Sequence, residues 1–366
     1  MRRLLIVIAI VLCCGVGIEA QSTKNTQIPE YIYQSRMAQL DKQTPIKLEY
    51  NAQVRAYIDV YLDRRRDHLS TILARSKTYF PLFEEYLSKY NLPLELKYLP
   101  IVESALDPTA KSKSGAMGLW QFLYHAGVML DLNVSSYEDE RCDPIKSTDA
   151  ACRYLAYLYQ NLEDWQLALA AYNGGIGTVQ KAIERSGGKK TFWELAPYLT
   201  SEMQAYVPAF IAVNYVMNYY DLHNIVAGEP EYTFQDLDTV YVNMSLGFDQ
   251  ISRATGVDRE MLKKLNPQYI KGFIPYDEMP MLLVLPKSSI SRYIKNEDKL
   301  KPDEKPDLAG YFGSSENQGT VTHTVQKGEY LHKIAMKYNT TAEQIMEWNG
   351  LTSKDIKVGQ KLIVHK

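Results

Sequence analysis

The sequence lacks an excess of either charge: 41 Lys and Arg stand against 43 Asp and Glu, a formal net charge of -2. A chain so balanced has no electrostatic footprint for a polyanion, so nucleic acid is excluded as a partner. Hydrophobic residues at 46% and charged residues at 23% match ordinary globular usage, which excludes a disordered chain and a multi-span membrane protein. Cysteine is scarce, with Cys13 and Cys14 near the start and Cys142 and Cys152 far along the chain. The six histidines, His68, His125, His223, His323, His332 and His365, show no paired ligand spacing, so no metal site and no cofactor are expected. Phenylalanine is outnumbered by tyrosine 9 to 28. A ring with an apolar face and a polar tip suits amphipathic helix packing and half-wet clefts.

At 366 residues the chain has room for two to three domains of about 150 residues each. Met1-Arg2-Arg3 followed by Leu4 to Leu12 forms a basic start and an apolar stretch too short to span a bilayer, and reads as an export signal over residues 1–20. Leu12 is bulky for the residue before a lipidated cysteine, so a soluble mature form in the periplasm or cell envelope is expected, with association to the outer membrane as the alternative. Cys142 and Cys152 are expected as free buried thiols, although export permits a disulfide.

Residues 21–80 read as a mostly helical extension, beginning its periodicity at Leu48, Val54, Tyr57, Ile58, Tyr61 and Leu62. Residues 81–230 read as a helical domain: Pro81 suits the first turn of one helix, Leu94 to Glu103 follow as another, and Ala150 to Leu162, Trp165 to Tyr172 and Ser201 to Tyr220 continue the pattern. Thr239 to Val242 and Met281 to Leu285 then read as strands flanking two helices in a module over 237–287. A polar linker is expected over 288–320 and a second module over 321–366. An offset of 83 places Val242 on Val325, Phe248 on Leu331, Ile251 on Ile334, Leu262 on Ile345 and Asn266 on Asn349, so the two modules are copies, with about three extra residues before the last strand of the first.

Chemistry concentrates in Leu99 to Phe122. Glu103 ends an apolar helical turn, where desolvation raises a carboxyl pKa, as a general acid at a glycosidic oxygen requires. The Gly115-Ala116-Met117-Gly118 run allows close backbone approach to a ligand, and Gln121 offers an amide for an N-acetyl or hydroxyl group. Asp107 lies beside a proline in a turn and reads as a solvated residue, so no second carboxylate stands opposite Glu103.

Glu103-Ser104 with Gly115 to Phe122, then Ala170 to Gly177, then Glu202 with Tyr206-Val207-Pro208 resemble, in order, the four motifs of the soluble lytic transglycosylases. The layout is most similar to the membrane-bound D type of that family. The resemblance implies an α+β multidomain protein: a mainly α-helical, lysozyme-like catalytic domain followed by small βααβ LysM-type modules. It makes Glu103 the catalytic acid and base, sets Ser112 and Gln121 beside the scissile bond, and frames the sugar with Tyr172, Asn173 and Tyr206. Tyr124 and Ala126 stand where the family commonly has Pro and Thr, and Met203 replaces a usual Thr.

The implied reaction cleaves the bond between MurNAc and GlcNAc in peptidoglycan glycan strands. The substrate acetamido group stabilises the cationic centre, and Glu103 deprotonates the 6-hydroxyl to leave a 1,6-anhydro end. A muramidase or chitinase that uses water, and a catalytically silent glycan-binding scaffold, are the competing readings. The tail resembles a LysM domain, which implies glycan contact at Gly328, Glu329, Tyr330 and Leu331 and at the Leu351 to Ile356 loop. Trp348 aligns with Leu265 and is expected in the core.

Overall fold

The computed structural model describes residues 28–276, 279–304, 320–338, 340 and 342–365. The expected export signal, with Cys13 and Cys14, lies outside them.

Helix α1 (Glu30–Asp41) is followed by α2 (Ala52–Asp59), whose first turn is capped by the Asn51 side chain accepting from the Val54 amide. A single π-helical turn over Val60–Arg64 separates α2 from α3 (Arg66–Lys89). Pro81 lies inside α3 rather than at a helix start, so one helix crosses the boundary expected at residue 80. Burial of Tyr79, Leu82 and Phe83 on either side of Pro81 holds the helix through the missing amide bond. Helix α4 (Leu99–Ser104) is stopped by Ala105 and Leu106, both at positive φ. Then come α5 (Tyr124–Met129), α6 (Pro144–Leu162) with Asp143 as cap and Pro144 in its first turn, and α7 (Trp165–Gly174) capped by Asp164. Helices α8 (Ile176–Arg185), α9 (Phe192–Leu195) and α10 (Ser201–Tyr219) complete the helical region.

Helix α10 is apolar nearly all round because it is the central element, packed against α2, α4 and α7 with Val207, Phe210, Ile211, Val213 and Tyr215 buried. One continuous core runs from Tyr33 to Ile225. The expected extension and the catalytic region therefore fold around the same interior. None of the described helices is long and apolar enough to cross a membrane.

The first small module pairs β1 (Leu237–Val242) antiparallel with β4 (Met281–Pro286) and β2 (Leu246–Gly247) with β3 (Phe273–Ile274), around α11 (Phe248–Thr255) and α12 (Arg259–Leu265). The segment after β4 departs from the expected linker: Lys287–Asn296 forms α13, which buries Tyr293 in the module core and packs Ile290 against it. Two apolar residues three apart suffice to seat a helix that is otherwise Lys- and Ser-rich. The second module has β5 (Thr320–Thr324) antiparallel to β6 (Lys361–His365), with α14 (Leu331–Lys337) and α15 (Ala342–Asn349) between them.

Equivalent asparagines clamp both modules. Asn266 donates to the Leu262 and Val284 carbonyls and accepts from the Val284 amide. Asn349 repeats this with Ile345 and Ile363. The partner strand is offset by 79 positions (363 minus 284) against 83 for the asparagines (349 minus 266), so the first module carries four extra residues there rather than about three. Trp348 packs at the edge of the second module's core. The first module is joined to the helical domain by main-chain bonds, from the Asp139 amide to the Gln268 carbonyl at 2.9 Å and from the Ile270 amide to the Tyr137 carbonyl at 2.8 Å.

Candidate active site

Glu103 sits in the last turn of α4, a helix held in place by buried Leu99, Pro100 and Ile101. The Ser104 hydroxyl fastens the end of that helix, donating to the Pro100 and Leu119 carbonyls. The carboxyl of Glu103 is half-buried and accepts a hydrogen bond on Oε1 from the buried Tyr206 hydroxyl, presented by α10. Burial raises its pKa from 4.5 to about 7; the Tyr206 bond opposes the rise and the nearby Glu202 charge adds to it. The raised pKa expected for Glu103 from the sequence thus has burial as its first cause.

A cavity of about 420 Å3 opens over this carboxyl. Ser112, Gln121, Asn173 and Tyr206 line it together with Glu103. Ser112 accepts from the Ala116 amide and lies 3.0 Å from the Ser114 hydroxyl. Gln121 adopts a positive φ of 51° and donates through Nε2 to the Ala110 and Gly118 carbonyls, so its orientation is fixed by the turn that carries it. Tyr172 stands apart from the other expected sugar contacts and does not line the cavity. It is half-buried, packs on Phe122 and Tyr154, and donates at 2.8 Å to the Trp120 carbonyl.

Within the glycine run, Gly118 approaches protein rather than a ligand, while at Gly115 an added Cβ would meet nothing nearer than 4.0 Å. Gly118 has φ of 82°, and a Cβ there would lie 1.8 Å from the Arg141 carbonyl oxygen, so the close approach is to protein backbone. Arg141 in turn ties the turn together: it is ion-paired with Asp139 at 2.7 Å and donates to the Gly115 and Phe122 carbonyls, with both side chains of the pair buried. Gly174, in the third motif, is covered by Met203, whose Sδ would be 2.2 Å from an added Cβ. Asp107 accepts from the Thr109 amide and pairs with Arg75 at 3.4 Å, a turn role as expected.

Four polar or aromatic residues of the cavity were not assigned to it from the sequence. Tyr57 comes from α2, Tyr61 from the π-helical turn and Arg65 from the junction before α3, so the amino-terminal region supplies one wall. Their four-residue spacing on a helical stretch was the available signal. Glu202, which appeared only as the first position of the fourth motif, lines the same cavity and corrects the expectation that no second carboxylate lies near Glu103.

Among the expected glycan contacts of the last module, the Leu331 side chain is buried at 1% exposure in the module core, which leaves contact at this position to the turn backbone. Glu329 accepts from the Gln326 amide and bonds to buried His323, which fixes the turn at Gly328, where φ is 83°. Leu351 and Ile356 pack at the rim of the core. Tyr330 stacks on Tyr124 of the helical domain.

Residues 81–194 match the Transglycosylase SLT domain, residues 236–302 the LysM-like domain of lytic transglycosylase MltD, and residues 323–365 the LysM domain. The chain carries an SLT transglycosylase domain followed by two LysM-type modules. The membrane-bound lytic murein transglycosylase D of Escherichia coli strain K12 is 28% identical over 323 residues, covering 86% of this chain and 69% of that protein. A putative tributyltin chloride resistance protein of Alteromonas is 36% identical over 117 residues, 32% of this chain and 56% of that one. Among solved structures, the 70 kDa soluble lytic transglycosylase of Escherichia coli aligns with a TM-score of 0.34 and 27% identity over 41% of this chain, which spans 26% of that protein. The LysM-like match to residue 302 includes α13, in keeping with its packing on the first module.

Proposed function

We infer that the protein is a peptidoglycan lytic transglycosylase that cleaves the β-1,4 bond between MurNAc and GlcNAc and leaves a 1,6-anhydroMurNAc end. The observation that carries this reading is the half-buried Glu103 carboxyl, with a pKa of about 7, hydrogen-bonded to Tyr206 at the floor of the SLT-domain cavity. A carboxyl poised near neutrality is available in both forms, so one residue can give a proton and later take one.

In the first half-reaction the protonated Glu103 gives its proton to the bridging oxygen as the bond to MurNAc C1 breaks, and the GlcNAc-bearing product leaves as an alcohol. The MurNAc acetamido oxygen supplies electrons to C1. The Glu103 carboxylate then takes the proton of the MurNAc 6-hydroxyl as that oxygen bonds to C1 and displaces the acetamido oxygen. The proton borrowed in the first step is regained in the second, and no water is consumed. Tyr206 keeps the carboxyl oriented, while Ser112, Gln121 and Asn173 hold the sugars that flank the bond. Tyr172 braces the wall through Trp120. The LysM-type modules hold the enzyme on the glycan, within the cell envelope.

A water-using hydrolase is the second reading, favoured by one feature: Glu202 lies in the same cavity and is a carboxylate that could activate water. In the full chain, Glu103→Gln is expected to lower release of soluble fragments from sacculi by about 100-fold or more, with the far-ultraviolet circular dichroism unchanged. Undiminished release would remove Glu103 from its assigned role.

A further inference from the structure

Arg65 is the only basic side chain among the described residues that line the Glu103 cavity. Its amide bonds to the Val60 carbonyl, five residues back, at 3.0 Å, and this widened π-helical turn brings Arg65 to the same wall as Tyr57 and Tyr61. The side chain is exposed. Among the described residues no group is hydrogen-bonded or ion-paired to its guanidinium, although Glu202 lines the same cavity. Arg66, next along the chain, is by contrast held on the His223 carbonyl at 2.8 Å. Arg65 also lies outside residues 81–194, which match the SLT domain, so the amino-terminal helices contribute this charge to that domain's cleft.

A cation held at a glycan cleft without a protein partner acts on an anion of the ligand. A strand of GlcNAc alone offers only hydroxyl and acetamido groups. MurNAc adds a lactyl arm at O3, which ends in a carboxylate when bare and carries a peptide with carboxylates of its own when substituted. The planar guanidinium fork matches the two oxygens of a carboxylate. We propose that Arg65 determines specificity in this cleft by binding a carboxylate on the lactyl arm of MurNAc, selecting MurNAc-containing strands over neutral ones. The inference rests on the reading of peptidoglycan as substrate and names the substrate group that this wall recognises. Glu202 in the same cavity repels a misplaced carboxylate and so directs the arm to the Arg65 side.

Three soluble tetrasaccharides of alternating GlcNAc and MurNAc serve as probes: one with peptide stems, one stripped to free lactyl carboxylates, and one stripped and converted to neutral lactyl methylamides. Each charged form is mixed with the methylamide and digested by the full chain. Loss of both substrates, followed by mass spectrometry, gives the ratio of their kcat/KM values. The ratio should favour the charged form with the wild type and fall about fivefold or more with Arg65→Gln. Arg65→Lys should recover part of the preference, and added salt should shrink that of the wild type towards that of Arg65→Gln. Thermal unfolding of both variants should match the wild type, because the side chain is exposed. A fall confined to the stem-bearing substrate assigns the contact to a stem carboxylate, and a fall confined to the stripped one assigns it to the lactyl carboxylate itself. The proposal is overturned if Arg65→Gln leaves the ratio unchanged for both charged forms, including the case in which it slows charged and neutral forms alike. Since the ratio is read from substrate loss, products with reducing ends would overturn the anhydro-forming reading and leave this result standing. Cleavage of none of the three by the wild type would overturn the peptidoglycan reading and this proposal with it.

Discussion

Replacing Glu103 by glutamine should stabilise the protein, and by more at alkaline pH than at acid pH. The carboxyl titrates at 4.5 in the unfolded chain and at about 7 in the folded one, a rise of about 2.5 units caused first by burial. At 1.36 kcal/mol per unit this is about 3 kcal/mol, an upper bound because the carboxyl is only half-buried and solvent reaches it through the cleft. The sign follows from proton binding. Below pH 4.5 both states carry the proton and the group makes no pH-dependent contribution. Between 4.5 and 7 the folded state holds a proton the unfolded state has released, so the wild type loses stability as pH rises. Above 7 the loss is complete. Glutamine keeps the shape and a partner for Tyr206 but never ionises. Urea unfolding of both proteins at pH 4 and pH 8 isolates the effect, since every other titrating group cancels in the difference. The glutamine advantage should grow by up to about 3 kcal/mol between the two pH values, or several degrees in Tm for a domain of this size. An advantage equal at both pH values, or smaller at pH 8, would refute the assignment of a desolvated carboxyl at Glu103.

Glu202→Gln removes a negative charge that helps raise the Glu103 pKa, so the alkaline limb of the pH profile of kcat/KM should move to lower pH with activity retained at its optimum. Loss of about 100-fold or more at every pH would instead make Glu202 a base in a hydrolytic reaction. Gly118→Ala should cost at least about 4 kcal/mol in chemical denaturation, because a positive φ and a 1.8 Å clash with the Arg141 carbonyl combine at one position; a variant as stable as the wild type would contradict the described turn. Cys142 and Cys152 are free and buried, with burial raising both thiol pKa values, that of Cys152 to about 12. A non-reducing thiol assay should find both only after denaturation, and a peptide map linking them would contradict this.

The helical region was legible wherever local chemistry and burial agree. The runs Ala150 to Leu162 and Ser201 to Tyr220 mark helices that the fold contains. Pro81 misled because the packing of Tyr79, Leu82 and Phe83 outweighs a lost amide bond, a tertiary effect without a local signature. Helix α13 was hidden in a Lys- and Ser-rich stretch, where Ile290 and Tyr293 alone carry its buried face. In the cavity, Glu103, Ser112, Gln121, Asn173 and Tyr206 were readable because motif spacing marks them. Tyr57, Tyr61 and Arg65 were not, since their place beside Glu103 depends on α2 packing against α10. At Leu331 a motif position does not tell whether the side chain faces solvent or core, and here it faces the core.

The central claim is a chemical one: a single carboxyl, Glu103, closes the sugar on itself and consumes no water. Mass spectrometry of the fragments released from purified sacculi by the full chain tests it most directly. Muropeptides ending in 1,6-anhydroMurNAc, each lighter by one water than its reducing-end counterpart, should dominate with the wild type and be absent with Glu103→Gln. Fragments ending predominantly in reducing MurNAc would contradict the account and assign the cleft to hydrolysis.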